Sequence, residues 1–173
     1  LTNLSAGRVA GVFNFRGPNY VVDAACASAL SSVEAGVKGL QRHAFDMVVC
    51  GGTDSTMFPM NYIMFSKINA LSDADSCPFD ANAAGFVPGE GCGVLVLKRL
   101  ADAERDGDNI YALIRGVGSS SDGVSGGLVS PSPAGQALAI RRAFEDSQGH
   151  PGSISSLACH GTQPTHGAKV ALE

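Results

Sequence analysis

Apolar residues follow two patterns along the chain: short continuous runs, and runs in which they recur every three or four positions. Residues 20–25 form an apolar, β-rich run that predicts a strand ending at Cys26. Directly after it, an apolar face at helical spacing predicts an amphipathic helix, and its members are Leu30, Val33, Val37 and Leu40. The pattern therefore indicates a strand, then Cys26, then a helix.

The same two patterns predict the remaining elements. Apolar runs predict strands at residues 46–50, 93–97, 110–116 and 154–159, with 110–116 as a hairpin partner of 93–97 after a turn at 103–109. Residues 136–147 predict an amphipathic helix, and residues 62–70 a helix or an irregular segment. Residues 72–89 and 118–133 predict long loops. Strands buried on both faces that alternate with helices are typical of a layered α/β fold.

Composition narrows the class of protein. The 173 residues are 45% hydrophobic and 16% charged, as expected of a globular chain. Lys and Arg number 12 against 16 Asp and Glu, without a basic run, so we expect no nucleic-acid partner. No apolar run approaches the ~20 residues of a membrane span, and no signal-peptide pattern is present, so we expect a soluble chain without a membrane partner. The odd set of cysteines favours reduced thiols and therefore a cytoplasmic location.

The five cysteines form an odd set without CxxC spacing, which favours reduced thiols and argues against a disulfide framework or a metal site. Cys26 differs from the others because a predicted helix follows it. The helix dipole and the amides at the helix N-terminus favour a thiolate and can stabilise an oxyanion. The alternative is that Cys26, like most cysteines, fills the core. The other four are expected to have core or incidental roles.

His160 is the second candidate, because it follows a predicted strand, where α/β folds gather catalytic groups. Its imidazole could act as a base or donate a hydrogen bond to a developing negative charge; the alternative is a structural histidine. The other histidines, His43, His150 and His166, are expected in solvent. Ser125 lies in a GxSxG match, but no strand precedes it and no helix follows it, which argues against a hydrolase.

Four blocks of sequence stand in a fixed order along the chain. They are FRGPNYVVDAACASAL, DMVVCGGTD with FSKINALS, CPFDANAAGFVPGEGCGVLVLKRLADAERDGDNIYALIRG, and HGT at residues 160–162. In this order they resemble the ketosynthase (β-ketoacyl-acyl carrier protein synthase) domain of type I polyketide and polyunsaturated fatty acid synthases. Several ordered blocks are far more specific than any one motif.

The resemblance implies a thiolase-like α/β/α/β/α fold and a homodimer. It implies that Cys26 accepts an acyl group from a phosphopantetheine thioester on acyl carrier protein, and that His160 is one of two histidines that hydrogen-bond the malonyl thioester while it loses CO₂. The enolate then attacks the acyl-Cys26 thioester and gives a β-ketoacyl product. Thr162 would contact the pantetheine arm. No cofactor would bind directly, because the carrier protein brings the phosphopantetheine.

The chain departs from the family pattern in several places. Only 25 residues precede Cys26, and the family's Lys and second His would follow Glu173. We therefore expect residues 1–173 to be a partial ketosynthase domain, from the C-terminal part of its N-terminal half into the start of its C-terminal half, and to be inactive alone. Within the chain, Ala84, Pro164 and Ala168 replace residues common in the family.

Two further expectations complete this interpretation. The alternative function is a non-condensing homologue or chain-length partner, against which the retained Cys26 and His160 argue. If the condensing function is right, Cys26 and His160 should lie within one substrate of each other. Residues 20–25 should expose apolar surface and lead the fragment to aggregate or dimerise.

Overall fold

The structure is a computed structural model that describes residues 1–55, 58–124 and 131–161. The chain divides into two compact units. The first unit contains Leu1–Asp54 and Gly91–Leu113, and the second contains Ser55–Glu90 and Ile114–Glu173.

The described residues contain five α-helices and two strands. In chain order they are α1 (Ser5–Phe13), α2 (Ser28–Gln41), β1 (Met47–Asp54), α3 (Pro59–Lys67), β2 (Gly91–Lys98), α4 (Leu100–Asp106) and α5 (Pro133–Ser147), with 3₁₀ turns at Thr2–Leu4 and Pro151–Ser153. None of the described helices is long and apolar enough to cross a membrane.

The first unit is built on one antiparallel pair of strands, on which α2 packs. Strands β1 and β2 pair over their full lengths, from Met47 opposite Lys98 to Asp54 opposite Gly91. Near the middle of this ladder Cys50 is buried, and burial raises the pKa of its thiol. Cys50 is thus part of the small core between the strands and α2, as its sequence context predicted.

Helix α2 contacts β1 most closely at two glycines. The Ser32 hydroxyl accepts a hydrogen bond from the N–H of Gly51 at 3.0 Å, and it lies 2.9 Å from the carbonyl oxygen of Gly51. A Cβ atom on Gly52 would stand 2.8 Å from the Cβ of Ala29, closer than real carbon atoms approach. The absence of a side chain at residue 52 therefore allows the first turn of α2 to rest on the strand.

Arg99 connects the other end of α2 to the rest of the first unit. Its guanidinium donates to the carbonyl oxygens of Phe45 at 2.8 Å and Leu40 at 3.2 Å, and to the carboxylates of Asp46 and Asp102. The Leu40 carbonyl lies in the last turn of α2, so the bond from Arg99, together with one from the N–H of His43 at 3.1 Å, satisfies a group without a partner within the helix. The bonds to Phe45 and Asp46 secure the segment that follows the helix.

Several sequence predictions are confirmed. The runs at 46–50 and 93–97 lie largely within β1 and β2, and the helices predicted after Cys26 and at 136–147 are α2 and α5. The segment at 62–70, predicted as helical or irregular, is largely the helix α3, and residues 72–89 contain no helix or strand. Within 118–133, the described residues up to Ser132 also lie outside helices and strands.

Three predicted strands are wrong. Residues 20–25, 110–116 and 154–159 belong to no ladder, and the only sheet among the described residues is β1 with β2. An apolar run forms a strand only when a second backbone pairs along it, and among the described residues these runs have only the isolated bridge between Ala24 and Cys26. The predicted turn at 103–109 is instead mostly helix α4. Within this helix Asp102 and Arg105, three residues apart, form an ion pair. Gly107 caps its C-terminus in a left-handed conformation, with φ of +70°.

Apolar side chains remain widely exposed, as expected for residues 20–25. Tyr20 and Val21 are 61% and 46% exposed. On β2, Val94 and Val96 are 58% and 65% exposed, so the prediction that this strand is buried on both faces is wrong for the described residues. Leu30, predicted on the buried face of α2, is 74% exposed. Whether this surface leads to aggregation or dimerisation stays a prediction.

We expect Gly52→Ala to destabilise the polypeptide that carries this chain by about 1–3 kcal/mol, because the added methyl meets the backbone-anchored Ala29. Gly93→Ala is the matched control, since Gly93 pairs with Gly52 across the ladder and has nothing within 4 Å of its Cβ position. Its stability should change by less than about 1 kcal/mol. Urea unfolding measures both variants, and equal losses would contradict the close approach of α2.

Low pH should lower the free energy of unfolding of the first unit by protonating Asp106 of α4. Hydrogen bonds from Arg105, and then from Lys98, lower the pKa of Asp106 from 3.8 to about 2. A carboxylate with a lowered folded pKa stabilises the fold above its unfolded pKa, and this contribution is lost as the pH falls from about 4 to 2. Asp106→Asn should therefore flatten the dependence of unfolding free energy on pH in that interval. Parallel curves for the variant and the wild type would show that these contacts do not stabilise the fold.

Candidate active site

Cys26 lies in a tight turn directly before α2 and is exposed. The hydroxyl of Ser28 holds this turn from inside: it accepts a hydrogen bond from the N–H of Ala24 at 2.9 Å and donates one to the carbonyl of Ala25 at 2.7 Å. Asp23 adds a third bond, from the N–H of Ala25 to its carboxylate at 3.1 Å. The predicted nucleophile therefore stands at a helix N-terminus, though in a turn rather than at the end of a strand.

The residue before Cys26 has a left-handed backbone. Ala25 has φ of +49°, a conformation that costs an alanine about 1–2 kcal/mol relative to its preferred regions. The hydrogen bonds of Ser28 and Asp23 to this residue offset that cost. Such a sharp turn presents the Cys26 side chain outward, where a substrate can reach it.

Two amides near Cys26 are already used. The N–H groups of Ala27 and Ser28 donate to the carbonyls of Ala24 and Ala25, each at 3.0 Å. We expected unpaired amides at this helix terminus to stabilise an oxyanion. That expectation is wrong for these two amides, because they already donate hydrogen bonds within the turn. Stabilisation of the thiolate by the helix dipole stays a prediction.

The contacts of α2 with the two glycines fix this turn relative to β1. Ala29, which rests on Gly52, and Ser32, which bonds to Gly51, both lie in the first turns of the helix that Cys26 precedes. The position of the Cys26 thiol therefore depends on α2, because the N-terminal part of this helix is attached to β1.

His160 lies in the second unit and is exposed. No strand leads to it, and Gly161, which follows it, has φ of +59°. The Gly161 backbone packs against Pro78 and the ring of Phe79. Because Cys26 and His160 belong to different units, their action at one site stays a prediction.

Other sequence candidates are placed as follows. Thr162, Ser125 and His166 lie outside the described residues. His43 and His150 are exposed, as predicted, and the Nδ1 atom of His150 accepts a bond from the N–H of Gly152. Among the residues that the structure describes, no three His, Cys, Asp or Glu side chains gather as a metal site requires.

Sequence reasoning missed the supporting residues of both candidates. Ser28 could have been found, because a serine in the first turn of a predicted helix commonly bonds to nearby backbone. Phe79 left no such signal, since its left-handed backbone and its contact with Gly161 depend on tertiary structure.

Comparison with known proteins gives the family. The family profile of "Beta-ketoacyl synthase, N-terminal domain" matches residues 1–103, more than half of the chain, and that of "Beta-ketoacyl synthase, C-terminal domain" matches residues 111–169. The chain belongs to the β-ketoacyl synthase family. The resemblance to ketosynthases of type I polyketide and polyunsaturated fatty acid synthases is thereby confirmed.

Individual relatives agree with this family. The chain is 41% identical over 170 residues to a phenolphthiocerol/phthiocerol polyketide synthase protein of Mycobacterium tuberculosis, covering 98% of this chain and 9% of the relative. It is 42% identical over 173 residues to a polyunsaturated fatty acid synthase protein of Thraustochytrium sp., covering 99% of this chain and 6% of the relative. It therefore spans less than a tenth of these proteins.

Solved ketosynthases share its fold. The ketosynthase from module 6 of the bacillaene synthase of Bacillus subtilis 168 superposes with a TM-score of 0.95 at 38% identity, over 99% of this chain and 31% of that one. The oxazolomycin ketosynthase domain of Streptomyces albus JA3453 gives a TM-score of 0.93 at 31% identity, over 96% of this chain and 30% of that one. The chain is a portion of the thiolase-like ketosynthase fold.

The conformation of the turn at Cys26 in this β-ketoacyl synthase should depend on Ser28. Ser28→Ala removes two hydrogen bonds that hold Ala25 left-handed, so we expect alkylation of Cys26 by iodoacetamide to change several-fold in rate as the turn relaxes. Ser31→Ala is the matched control. The backbone N–H of Ser31 donates to the carbonyl of Ala27, and the substitution keeps this bond. Peptide mass spectrometry separates Cys26 from the other thiols. Equal rates in wild type and Ser28→Ala would exclude this role for Ser28.

Proposed function

We propose that these residues are the central portion of a ketosynthase domain, from the C-terminal part of its N-terminal half into the start of its C-terminal half. The domain would catalyse decarboxylative condensation of an acyl-Cys26 thioester with a malonyl thioester on a carrier protein. The observation that carries the proposal is an exposed Cys26 in a strained turn at the N-terminus of α2, within a chain that belongs to the β-ketoacyl synthase family.

The first step is transfer of an acyl group to Cys26. The thiolate attacks the carbonyl carbon of an acyl-phosphopantetheine thioester, a new C–S bond forms, and the pantetheine thiolate leaves and takes up a proton. A thiol is suited to this step because it is a good nucleophile and, later, a good leaving group.

The second step is loss of CO₂ from the malonyl thioester. The bond between the carboxylate and the adjacent carbon breaks, and its electron pair becomes an enolate. His160 donates a hydrogen bond to the thioester oxygen, which stabilises charge that exists only as the bond breaks.

The third step forms the product. The enolate carbon attacks the acyl-Cys26 carbonyl, a C–C bond forms, and the Cys26 thiolate leaves. The β-ketoacyl chain then remains on the carrier protein. The reaction is balanced without a redox partner or a directly bound cofactor, since the carrier supplies the phosphopantetheine.

Other residues and partners complete the proposal. Thr162 would bond to the pantetheine arm, and a second His and a Lys would come from residues outside this chain, so the isolated 173 residues would be inactive. The domain would be a homodimer in the cytoplasm. The five cysteines, all free thiols, support a reducing compartment.

The proposal is tested by acylation of the complete domain with an acyl-pantetheine thioester. We expect the acyl mass on the Cys26 peptide and no acylation of Cys26→Ala. The matched control is Cys92→Ala, which removes another exposed thiol and should be acylated normally. His160→Ala should still be acylated, but its release of CO₂ from malonyl-carrier protein should fall about 10²- to 10³-fold.

Two outcomes would contradict the proposed function. Acylation of Cys26→Ala at the wild-type rate would place the nucleophile elsewhere. Release of CO₂ without product from an acylated wild-type domain would instead indicate the non-condensing homologue.

A further inference from the structure

Phe79 occupies a backbone conformation that an aromatic residue rarely adopts. Its φ is +64°, and the N–H of Asp80 donates to the carbonyl of Cys77 at 3.2 Å across it. With Pro78 at the second position and a positive φ at the third, this segment has the features of a type II turn, whose third position favours Gly or Asn. A phenylalanine there costs about 1–3 kcal/mol in strain.

The ring of Phe79 lies against the residue that follows His160. A Cβ atom on Gly161 would stand 2.9 Å from Cε2 and 3.0 Å from Cζ of Phe79, and 3.1 Å from Cβ of Pro78. Gly161 is itself left-handed, with φ of +59°. The ring of Phe79 thus packs on a left-handed glycine, and a side chain on Gly161 would force the two apart.

The strained turn at Phe79 holds its ring against Gly161. The turn is further secured by the carboxylate of Asp80, which accepts a bond from the N–H of Asn82 at 2.8 Å. A ring fixed on such a turn limits the backbone rotations of Gly161. Since His160 is exposed, restriction of the neighbouring backbone restricts where its imidazole can point.

We propose that Phe79 is a positioning residue: its ring holds Gly161 left-handed and so aims the His160 imidazole at the malonyl thioester. This inference rests on the proposed function, in which His160 acts during loss of CO₂. It does not involve Cys26, so the acylation step should be independent of Phe79.

The test uses the complete ketosynthase domain with two substitutions. Phe79→Asn removes the ring but keeps a residue that tolerates a left-handed backbone, so the fold should be as stable as the wild type or more so. We expect its kcat for release of CO₂ from malonyl-carrier protein to fall about 10- to 100-fold, with KM and the rate of Cys26 acylation within about twofold. Phe79→Tyr keeps the ring and should retain kcat within about twofold.

A control and a second measurement separate positioning from general destabilisation. Phe58→Ala removes another exposed aromatic ring of the second unit and should leave all rates unchanged. Amide hydrogen exchange at Gly161 should become faster in Phe79→Asn and stay at the wild-type rate in Phe79→Tyr and Phe58→Ala.

The outcomes are distinguishable. An unchanged kcat in Phe79→Asn overturns the inference and leaves the proposed function standing. A parallel loss of stability, acylation and CO₂ release in this variant has the same two consequences. A wild-type domain that acylates Cys26 but neither releases CO₂ nor condenses overturns the proposed function, and the inference with it.

Discussion

The close contact of α2 with β1 at Gly51 and Gly52 is the constraint on which the first unit depends. A helix can approach a strand so closely only where the strand has no side chains, and here Ala29 and Ser32 fill that space. Because Cys26 immediately precedes this helix, the same contact sets the position of the thiol. Packing of small residues and presentation of the proposed nucleophile are therefore one structural feature.

The opposite end of α2 is held by the guanidinium of Arg99 in addition to the packing of the buried Leu40. Arg99 bonds to the carbonyls of Leu40 and Phe45, and burial, which alone would raise the pKa of Asp102, is outweighed by hydrogen bonds from Arg99 and Arg105 that lower it. The helix is thus attached to the first unit at both ends. Contacts at both ends therefore stabilise α2, and the chemistry is proposed at its N-terminus.

Local patterns predicted the elements that are stabilised locally. The helix after Cys26 follows from its apolar spacing, and β1 and β2 follow from continuous apolar runs that do find each other. Residues 20–25, 110–116 and 154–159 have similar runs, yet none of them forms a ladder with the described residues. Strand formation depends on a distant partner, which periodicity does not encode. For the candidate site, Cys26 could be predicted because its helix is local, whereas the contact of Phe79 with Gly161 joins distant parts of the chain.

The central claim is that an acyl group on Cys26 is joined to carbon from a malonyl thioester. Single-turnover mass spectrometry of the complete domain tests it, with Cys26 first loaded with a ¹³C-labelled acyl group and then mixed with malonyl-carrier protein. The account predicts that the label leaves Cys26 and appears in a β-ketoacyl thioester on the carrier, with one CO₂ released per label. Recovery of the label as a free acid would contradict condensation and indicate hydrolysis, and a label that stays on Cys26 would show that the chain does not condense.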